Sequence, residues 1–463
     1  MLRLIGWAMG PALFVVLGFL IPLETISLQA RIVLATLAWM FVWWLLEVLP
    51  LAVTSLLPLI TFPAFDVANL KTVAASYSAE VIYLFLGGFL LARAIEKWGV
   101  HIILARRVLG QESHSPQKAL LMFIGLTAFI SMWISNTAAA LVVLPLIATL
   151  RHPSAEASHR IQKSFRLAVA YGASVGGVAT LIGSPPNAIM ASIAQQQLGV
   201  RISFFDWMLF GVPLAMVGCL IVWIYLAYFA YPIDSEAKLH PISASQSTPL
   251  TLVQKRVLTV FALTVIAWIT SGAVSSSAFS DASIAMLAVI ALFSLPSGQG
   301  NGQRILTSDD LLHGGWPVLL LFGGGLALSM GIDRSGLGTM ISHSLHSLSA
   351  LPPFVVVLAV TGFLILLTEV SSNTAIAAIF VPLILSIAPV VGLPPLMAMM
   401  TVTMAGSLSF MLPMATPPNA VVFASGGLSI REMIKCGIGL NILFWIVISF
   451  SIWFLLPVVW NIQ

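Results

Sequence analysis

A short polar motif occurs twice in an otherwise apolar chain, as Ser135-Asn136-Thr137 and again as Ser372-Asn373-Thr374. Each copy lies in sequence too apolar for an ordinary surface loop. Hydroxyl oxygens, Asn carbonyl oxygens and free main-chain carbonyls are hard neutral ligands that suit a small cation such as Na⁺. Hydroxyl hydrogens, Asn NH₂ groups and helix N-termini instead donate to an anion. These residue types therefore indicate a site that can hold both a cation and an anion.

The similarity between the two copies extends well beyond three residues. The segment 135–147, SNTAAALVVLPLI, matches the segment 372–384, SNTAIAAIFVPLI, at eight of thirteen positions. The same offset along the chain aligns the glycine pair Gly87 and Gly88 with Gly324 and Gly325. One unit has been duplicated within the chain.

A second motif pair follows the first at a slightly shorter offset: Ser184-Pro185-Pro186-Asn187 and Thr416-Pro417-Pro418-Asn419. Two consecutive prolines remove backbone donors and interrupt a helix. Within a membrane such irregular backbone is tolerated only where it lines a cavity or is buried in protein. The motifs predict one broken helix within 165–198 and a second within 396–424.

The composition is that of a multi-pass membrane protein. The chain is 59% hydrophobic and 8% charged, with a mean hydropathy of +1.04, far from the average soluble domain. A membrane-spanning helix needs about 20 apolar residues. We predict eleven spans, near 5–22, 29–48, 50–64, 79–98, 165–198, 206–231, 254–273, 281–295, 315–333, 396–424 and 433–459. Two more apolar stretches, 117–150 and 353–390, each carry one Ser-Asn-Thr motif.

Charge placement indicates orientation. With the N-terminus in the cytoplasm, 16 of the 20 Lys and Arg residues fall on the cytoplasmic side, as the positive-inside rule requires. Stretch 117–150 then has basic residues on both flanks, so we predict a re-entrant hairpin that enters and leaves from the cytoplasm. Five spans separate it from stretch 353–390, which places the second hairpin on the opposite face and the C-terminus outside.

The predicted fold is therefore an all-α polytopic membrane protein with eleven transmembrane helices, two opposed re-entrant hairpins in an inverted repeat and two broken helices. This is the architecture of a secondary transporter. No Lys, Arg or His lies deep in any predicted span, although an anion in low dielectric must be compensated. Bound cations are the available countercharges, which predicts coupled binding of cation and anion. Since we recognise no targeting sequence, we expect a bacterial inner membrane protein.

As a set, these motifs resemble the divalent anion/sodium symporters, which carry di- and tricarboxylates and in some branches sulfate. The resemblance covers nearly the whole chain and implies a homodimer with an elevator motion. It implies one Na⁺ site at Ser131, Ser135, Asn136 and the backbone of Gly183, and a second at Thr368, Ser371, Asn373 and the backbone of Ala415. It implies carboxylate binding by Ser135, Asn136, Thr137, Ser372, Asn373 and Thr374, with Thr416 and Pro417 beside them.

The same resemblance divides the chain into a scaffold and a transport part. The implied scaffold comprises residues 1–116, with helices 1–4 and the first repeat starting near 29, and residues 254–352, with helices 7–9. The implied transport part comprises residues 117–231, with hairpin 1, broken helix 5 and helix 6, and residues 353–463, with hairpin 2, broken helix 10 and helix 11. Residues 232–253, a mostly polar stretch with Ser and Pro, are predicted to form a cytoplasmic linker.

The roles of three residues near the motifs are undecided from the sequence. Glu369 follows Thr368, where the first half has Met132. A carboxylate inside a span is costly and often functional, and Glu369 can add cation affinity, respond to pH or make a structural hydrogen bond. Asn187 and Asn419 are further candidates of undecided role.

The predicted function is Na⁺-coupled symport into the cytoplasm of di- or tricarboxylates of the succinate, malate, fumarate and citrate class, with co-transported Na⁺ and no organic cofactor. The nearest alternative is a carboxylate or other divalent-anion exchanger that uses fixed positive groups. A distant one is an intramembrane hydrolase, because Gly172-Ala-Ser174-Val-Gly176 matches G-x-S-x-G; close helix packing explains those small residues better. The pI of about 9.2 reflects orientation in the membrane, so we expect no nucleic-acid partner.

Overall fold

The computed structural model describes residues 2–20, 26–109, 115–147, 155–232, 249–271, 280–300, 302–344 and 349–462. Within these ranges the regular elements are all helices, apart from one isolated bridge between Pro296 and Arg304. The all-α prediction is confirmed. Most of the predicted linker, residues 233–248, and residues 148–150 of stretch 117–150 lie outside the described residues.

The described helices of the first half, in chain order, are α1 (Leu2–Val15), α2 (Leu28–Leu45), α3 (Leu51–Thr54), α4 (Leu57–Ala64), α5 (Leu70–Ala75), α6 (Glu80–Lys97), α7 (Val100–Leu109), α8 (Pro116–Ser131), α9 (Asn136–Ile147), α10 (Ala155–Gly177), α11 (Pro185–Leu198) and α12 (Phe204–Ile224). α1 and α12 continue as π-helical turns, Val16–Leu20 and Tyr225–Ala230, and a 3₁₀ turn, Ser76–Ser78, precedes α6.

The described helices of the second half are α13 (Leu252–Ser271), α14 (Asp281–Ser294), α15 (Ser308–Leu312), α16 (Trp316–Ser335), α17 (Leu337–Ser344), α18 (Pro353–Thr368), α19 (Asn373–Ile387), α20 (Pro395–Ser407), α21 (Pro417–Ala424), α22 (Ile430–Phe450) and α23 (Leu456–Trp460). A π-helical segment, Ser451–Leu455, joins α22 to α23.

The helix boundaries reproduce the sequence repeat. α8 and α18 begin at equivalent positions of the repeat, both with proline, and they end at the equivalent residues Ser131 and Thr368. α11 and α21 begin at the matching Pro-Pro-Asn motifs, again with proline. α12 and α22 both continue into a π-helical segment. The duplicated unit therefore folds in the same way in both halves.

Each predicted broken helix is interrupted at its Pro-Pro-Asn motif. The first interruption, residues 178–184, separates α10 from α11, and we name it break 1; the second, residues 408–416, separates α20 from α21, and we name it break 2. The two apolar stretches with Ser-Asn-Thr are helix pairs joined by a short turn. We name α8 with α9 hairpin 1, and α18 with α19 hairpin 2.

The predicted span 50–64 matches the apolar segment Leu51–Ala64, which is divided into two short helices, α3 and α4, at Ser55 and Leu56. One predicted boundary was wrong. The first broken helix begins at Ala155 rather than 165, because its polar first turns are helical although they are not apolar. α7 lies between the predicted spans; it buries Val100, His101 and Ala105, a pattern too short to recognise beside its charged residues.

Six helical segments of the described residues are long and apolar enough to cross a membrane: Leu28–Leu45, Leu70–Lys97, Phe204–Ala230, Leu252–Ser271, Ser308–Ser335 and Ile430–Trp460. Further apolar helices, including both hairpins, have only 10–17 residues. Several apolar crossings fit a multi-pass protein, and the number eleven stays a prediction.

α10 packs against α8 at backbone contact distance. A Cβ atom on Gly172 would lie 2.9 Å from the Ile124 carbonyl oxygen, and one on Gly176 would lie 2.2 Å from the Ala128 carbonyl oxygen. Small residues allow helices to approach this closely. The G-x-S-x-G match is explained by this packing.

We expect Gly176→Ala to destabilise the protein by about 2 kcal/mol, because the added methyl group meets helix backbone that cannot move aside. Gly125→Ala in α8 is the control, since a Cβ there meets nothing within 4 Å, and it should change stability by less than about 1 kcal/mol. Thermal unfolding midpoints of the purified proteins measure the difference. Equal midpoints for the two variants would contradict the packing.

Candidate functional site

Each Ser-Asn-Thr motif lies at the start of the second helix of its hairpin. α9 begins at Asn136 and α19 begins at Asn373, with Ser372 as the N-cap residue. The first backbone N–H groups of a helix have no partner within the helix. Ser135 Oγ accepts from Ala138 N at 3.2 Å, whereas the Ser372 side chain makes no such capping bond. Both helix ends thus present donors beside polar side chains.

In the first half, three oxygen atoms from different elements come together. Ser131 Oγ lies 2.6 Å from Asn136 Oδ1 and 2.7 Å from the Ala173 carbonyl oxygen. The hydroxyl carries one proton, so it can donate to only one of these two acceptors. The set is therefore rich in acceptor oxygens, which is the chemistry that a small hard cation requires.

The last residue of α10 packs against the Asn136 amide, and break 1 folds back onto that residue. A Cβ atom on Gly177 would lie 2.6 Å from Asn136 Oδ1, and one on Gly183 would lie 2.6 Å from the Gly177 carbonyl oxygen. Only glycine fits at both positions. The structure thus brings Ser131 and Asn136 of the first predicted Na⁺ set together, with Ser135 at the adjoining helix start and Gly183 packed against Gly177.

The second half repeats this arrangement. Thr368 Oγ1 lies 2.5 Å from Asn373 Oδ1 and 3.1 Å from the Gly406 carbonyl oxygen, and Asn373 Nδ2 donates to the Ser407 carbonyl oxygen at 3.3 Å. Like Ser131, Thr368 is fully buried. We name the two groups of atoms oxygen set 1 (Ser131, Asn136, Ala173) and oxygen set 2 (Thr368, Asn373, Gly406).

The remaining predicted residues lie around these sets. Ser371 is half-buried in the turn of hairpin 2, as are Thr137 and Thr374 at the two helix starts. Ala415 is buried in break 2. Thr416 caps α21, where its Oγ1 accepts from Asn419 N at 3.3 Å, and Pro417 is exposed as the first residue of that helix. In the described chain no hydrogen bond joins Thr416 to either motif.

Asn187 and Asn419 act on the backbone of the breaks. Asn187 Nδ2 donates to the carbonyl oxygens of Gly177 at 3.0 Å and Thr180 at 2.8 Å. Asn419 Nδ2 donates to the carbonyl oxygen of Leu412 at 3.1 Å. Thr180 and Leu412 precede their asparagines by the same interval, so the two asparagines brace equivalent points.

Glu369 binds backbone donors of break 2. Its carboxylate accepts from the N–H groups of Phe410, Met411 and Leu412 at 2.8–3.1 Å and from Asn441 Nδ2 at 2.7 Å. The side chain is 3% exposed. Three successive N–H groups form an anion-binding concavity. Of the three open roles for Glu369, the structure shows the structural hydrogen bond.

Asn441 and Thr180 are site-supporting residues that the sequence analysis missed. Asn441 is far from Glu369 in sequence and lies in the apolar helix α22, and an isolated polar residue in such a helix was the available signal. Thr180 Oγ1 donates to the Met132 carbonyl oxygen at 2.6 Å. It lies between two recognised motifs but belongs to neither.

Positively charged side chains lie away from the two oxygen sets. Among the described residues, Lys163 pairs with Glu432 at 2.6 Å, and Asp310 pairs with Arg93 at 3.2 Å and with Lys97 at 2.5 Å. Over the described ranges, no Lys, Arg or His side chain is hydrogen-bonded to either set. The sites are therefore built from neutral oxygen atoms.

The buried Ser174 hydroxyl has no hydrogen-bond partner among the described residues. A serine nucleophile needs a base within hydrogen-bonding reach. The position does not supply the Ser–His pair of a hydrolase.

Comparison with known proteins identifies the family. Residues 7–461 match the model of the sodium:sulfate symporter transmembrane region. The sodium-dependent dicarboxylate transporter SdcS of Staphylococcus saprophyticus is 36% identical, over all of this chain and 93% of its own. SdcS of Staphylococcus aureus strain USA300 is 35% identical, over all of this chain and 92% of its own.

Solved structures share the fold at low identity. The Alcanivorax borkumensis YdaH transporter superposes with a TM-score of 0.62 at 15% identity, covering 89% of this chain and 96% of that one. Neisseria gonorrhoeae MtrF, from a class of antimetabolite efflux pumps, superposes with a TM-score of 0.60 at 12% identity. That superposition covers 96% of this chain and 97% of MtrF. The predicted resemblance to the divalent anion/sodium symporters is confirmed: this chain is a multi-pass membrane transporter, not an enzyme, and it belongs to the sodium:sulfate symporter family.

Proposed function

We propose that the protein couples Na⁺ entry to the import of a dicarboxylate of the succinate, malate and fumarate class, with tricarboxylates such as citrate as further candidates. The observation that carries the proposal is the pair of neutral oxygen sets. An anion bound in low dielectric needs a countercharge, and neither set supplies a fixed one. The sodium-dependent relatives support Na⁺ as that countercharge.

The anion is proposed to bind at the N-termini of α9 and α19. α11 and α21 begin with two prolines, so their first two positions have no N–H to donate. α9 and α19 keep their first-turn donors and add the side chains of both motifs. Two such helix ends match the two carboxylates of a dicarboxylate. The proposed contacts are Ser135, Asn136, Thr137, Ser372, Asn373 and Thr374, with Thr416 and Pro417 beside them.

Two Na⁺ ions are proposed to bind at the two oxygen sets. The first would use Ser131, Ser135, Asn136 and the Gly183 backbone, and the second would use Thr368, Ser371, Asn373 and the Ala415 backbone. Each ion would lie beside one anion-binding helix end. Cation and anion then raise each other's affinity by the same factor, which is the physical basis of coupling.

The remaining architecture is proposed from the repeat and the charge distribution. Short hairpins of opposite orientation would enter the membrane from opposite faces, between eleven spans, with a cytoplasmic N-terminus and an external C-terminus. The hairpins, the broken helices and the predicted spans 206–231 and 433–459 would move as an elevator against the scaffold. A homodimer in a bacterial inner membrane completes the proposal.

An exchanger without Na⁺ coupling is the second candidate. It needs a fixed positive group in place of the cation, and Ser131 and Thr368 occupy the equivalent positions in the two oxygen sets. This observation favours the symporter.

Purified protein in proteoliposomes should accumulate labelled succinate under an inward Na⁺ gradient, and accumulation should stop when K⁺ replaces Na⁺. Succinate loaded inside the vesicles should not be required. Equal accumulation with and without a Na⁺ gradient, or uptake only against internal dicarboxylate, would favour the exchanger.

Asn136→Ala and Asn373→Ala should each lower uptake by a factor of about 10 or more, because loss of one such polar contact costs about 1.4 kcal/mol or more. Asn69→Ser is a control, since it retains an N-cap acceptor for α5 outside the site. Thermal unfolding should confirm that all three proteins are folded. Normal uptake by either alanine variant would overturn the site assignment.

Gly177→Ala should raise the Na⁺ concentration needed for half-maximal uptake, because the added methyl group would displace the Asn136 amide, 2.6 Å away. Gly125→Ala, with an unobstructed Cβ, should behave as the unsubstituted protein. Uptake measured across a Na⁺ titration provides the comparison. A Gly177→Ala variant with unchanged Na⁺ dependence would show that the amide does not bind the cation.

A further inference from the structure

In each half a hydrogen bond joins the hairpin to the break. The two bonds connect equivalent positions of the repeat but use different atoms. Met132 and Glu369 are equivalent in the repeat, and each directly follows the first helix of its hairpin. Thr180 and Leu412 are likewise equivalent, in break 1 and break 2. In the first half the Thr180 hydroxyl donates to the Met132 carbonyl oxygen at 2.6 Å. In the second half Leu412 N donates to Glu369 Oε2 at 2.9 Å.

The same break position also carries the proposed backbone ligand of each cation site. Gly183 N donates to Thr180 Oγ1 at 3.1 Å, and Ala415 N donates to the Leu412 carbonyl oxygen at 3.2 Å. Gly183 and Ala415 are again equivalent, since each directly precedes the first residue of its Ser- or Thr-Pro-Pro-Asn motif. Thr180 in the first half and Leu412 in the second half therefore each connect the turn of the hairpin to the proposed backbone ligand of the cation.

A third bond braces this position from the other side. Asn187 and Asn419 donate to the carbonyl oxygens of Thr180 and Leu412. Thr180, Asn187 and Asn419 are fully buried and Glu369 is nearly so. Because a buried polar group without its partner is costly, these bonds resist separation of the hairpin from its break.

The groups that form the hydrogen bonds between hairpin and break differ between the two halves. The first half uses one neutral hydroxyl, which donates to Met132 and accepts from Gly183. The second half uses a carboxylate that accepts from three consecutive N–H groups and from Asn441. The Glu369 carboxyl group therefore joins three residues of break 2 and α22, whereas the Thr180 hydroxyl joins only Met132 and Gly183.

We propose that Thr180 and Glu369 are equivalent positioning residues, one in each half, that hold the Gly183 and Ala415 backbone in place for a cation. This inference rests on the proposed Na⁺-coupled function. Neither residue touches the ion. Each sets the geometry of its own site, through break 1 or break 2, and Asn441 supports the second.

Thr180→Val tests the first half, because valine keeps the shape and removes the hydroxyl. We expect the Na⁺ concentration for half-maximal succinate uptake to rise about fivefold or more, as for the loss of one buried hydrogen bond. Maximal uptake at saturating Na⁺ should stay within about a factor of two, because the ion can still organise the site. Thr180→Ser, which restores the hydroxyl, should return the Na⁺ dependence to normal.

Thr127→Val is the matched control. Thr127 is equally buried, and its hydroxyl donates at 2.7 Å to Phe123 O, but both residues belong to α8, so this bond joins no separate elements. Its Na⁺ dependence should be unchanged. A shift in the control equal to that of Thr180→Val would show a general effect of losing a buried hydroxyl and would overturn the inference.

Glu369→Gln tests the second half, because its NH₂ group would face N–H donors instead of accepting from them. It should raise the Na⁺ requirement, and Asn441→Leu, which removes one donor, should shift it in the same direction. If Glu369→Gln does not fold, Asn441→Leu carries the test. Unchanged Na⁺ dependence in both Thr180→Val and Asn441→Leu would overturn the inference, whereas Na⁺-independent uptake by the unsubstituted protein would overturn the proposed function instead.

Discussion

A helix interrupted inside an apolar protein leaves backbone groups that water does not reach, and the arrangement of this chain depends on how those groups are satisfied. Pro-Pro at the start of α11 and α21 removes two donors from each interruption. In the first half Asn187 donates to backbone carbonyls beside and within the break, and the Thr180 hydroxyl of the break donates to the Met132 carbonyl oxygen of the hairpin. In the second half the Glu369 carboxylate of the hairpin accepts from three backbone N–H groups of the break. Hairpin and broken helix therefore form one structural unit in each half.

That unit explains why the candidate site is rich in oxygen and poor in charge. In each half the hydroxyl of Ser131 or Thr368 lies against the asparagine oxygen of its own hairpin and against a carbonyl oxygen of the helix that precedes the break. A hard cation suits such neutral oxygen sets, and an anion beside them gains its countercharge only when the cation is present. Coupling then follows from electrostatics without a dedicated charged switch.

Much of this could be predicted from the sequence because the duplicated motifs are local and their spacing is preserved. The breaks beside Pro-Pro-Asn follow from short-range signals, whereas the grouping of Ser131 with Asn136 and of Thr368 with Asn373 came from the family resemblance. The role of Glu369 could not be predicted from the sequence, because its hydrogen-bond partners are distant in the chain and a single carboxylate has no periodicity. α7 was missed because a short segment with several charges resembles a loop.

We propose that bound Na⁺ provides the countercharge for the substrate anion. Equilibrium binding of labelled succinate to the purified protein, measured across a Na⁺ titration at constant ionic strength with K⁺, tests it most directly. Succinate affinity should rise steeply with Na⁺, and succinate should raise Na⁺ affinity by the same factor. Succinate binding of equal affinity in K⁺ alone would show that Na⁺ is not the countercharge.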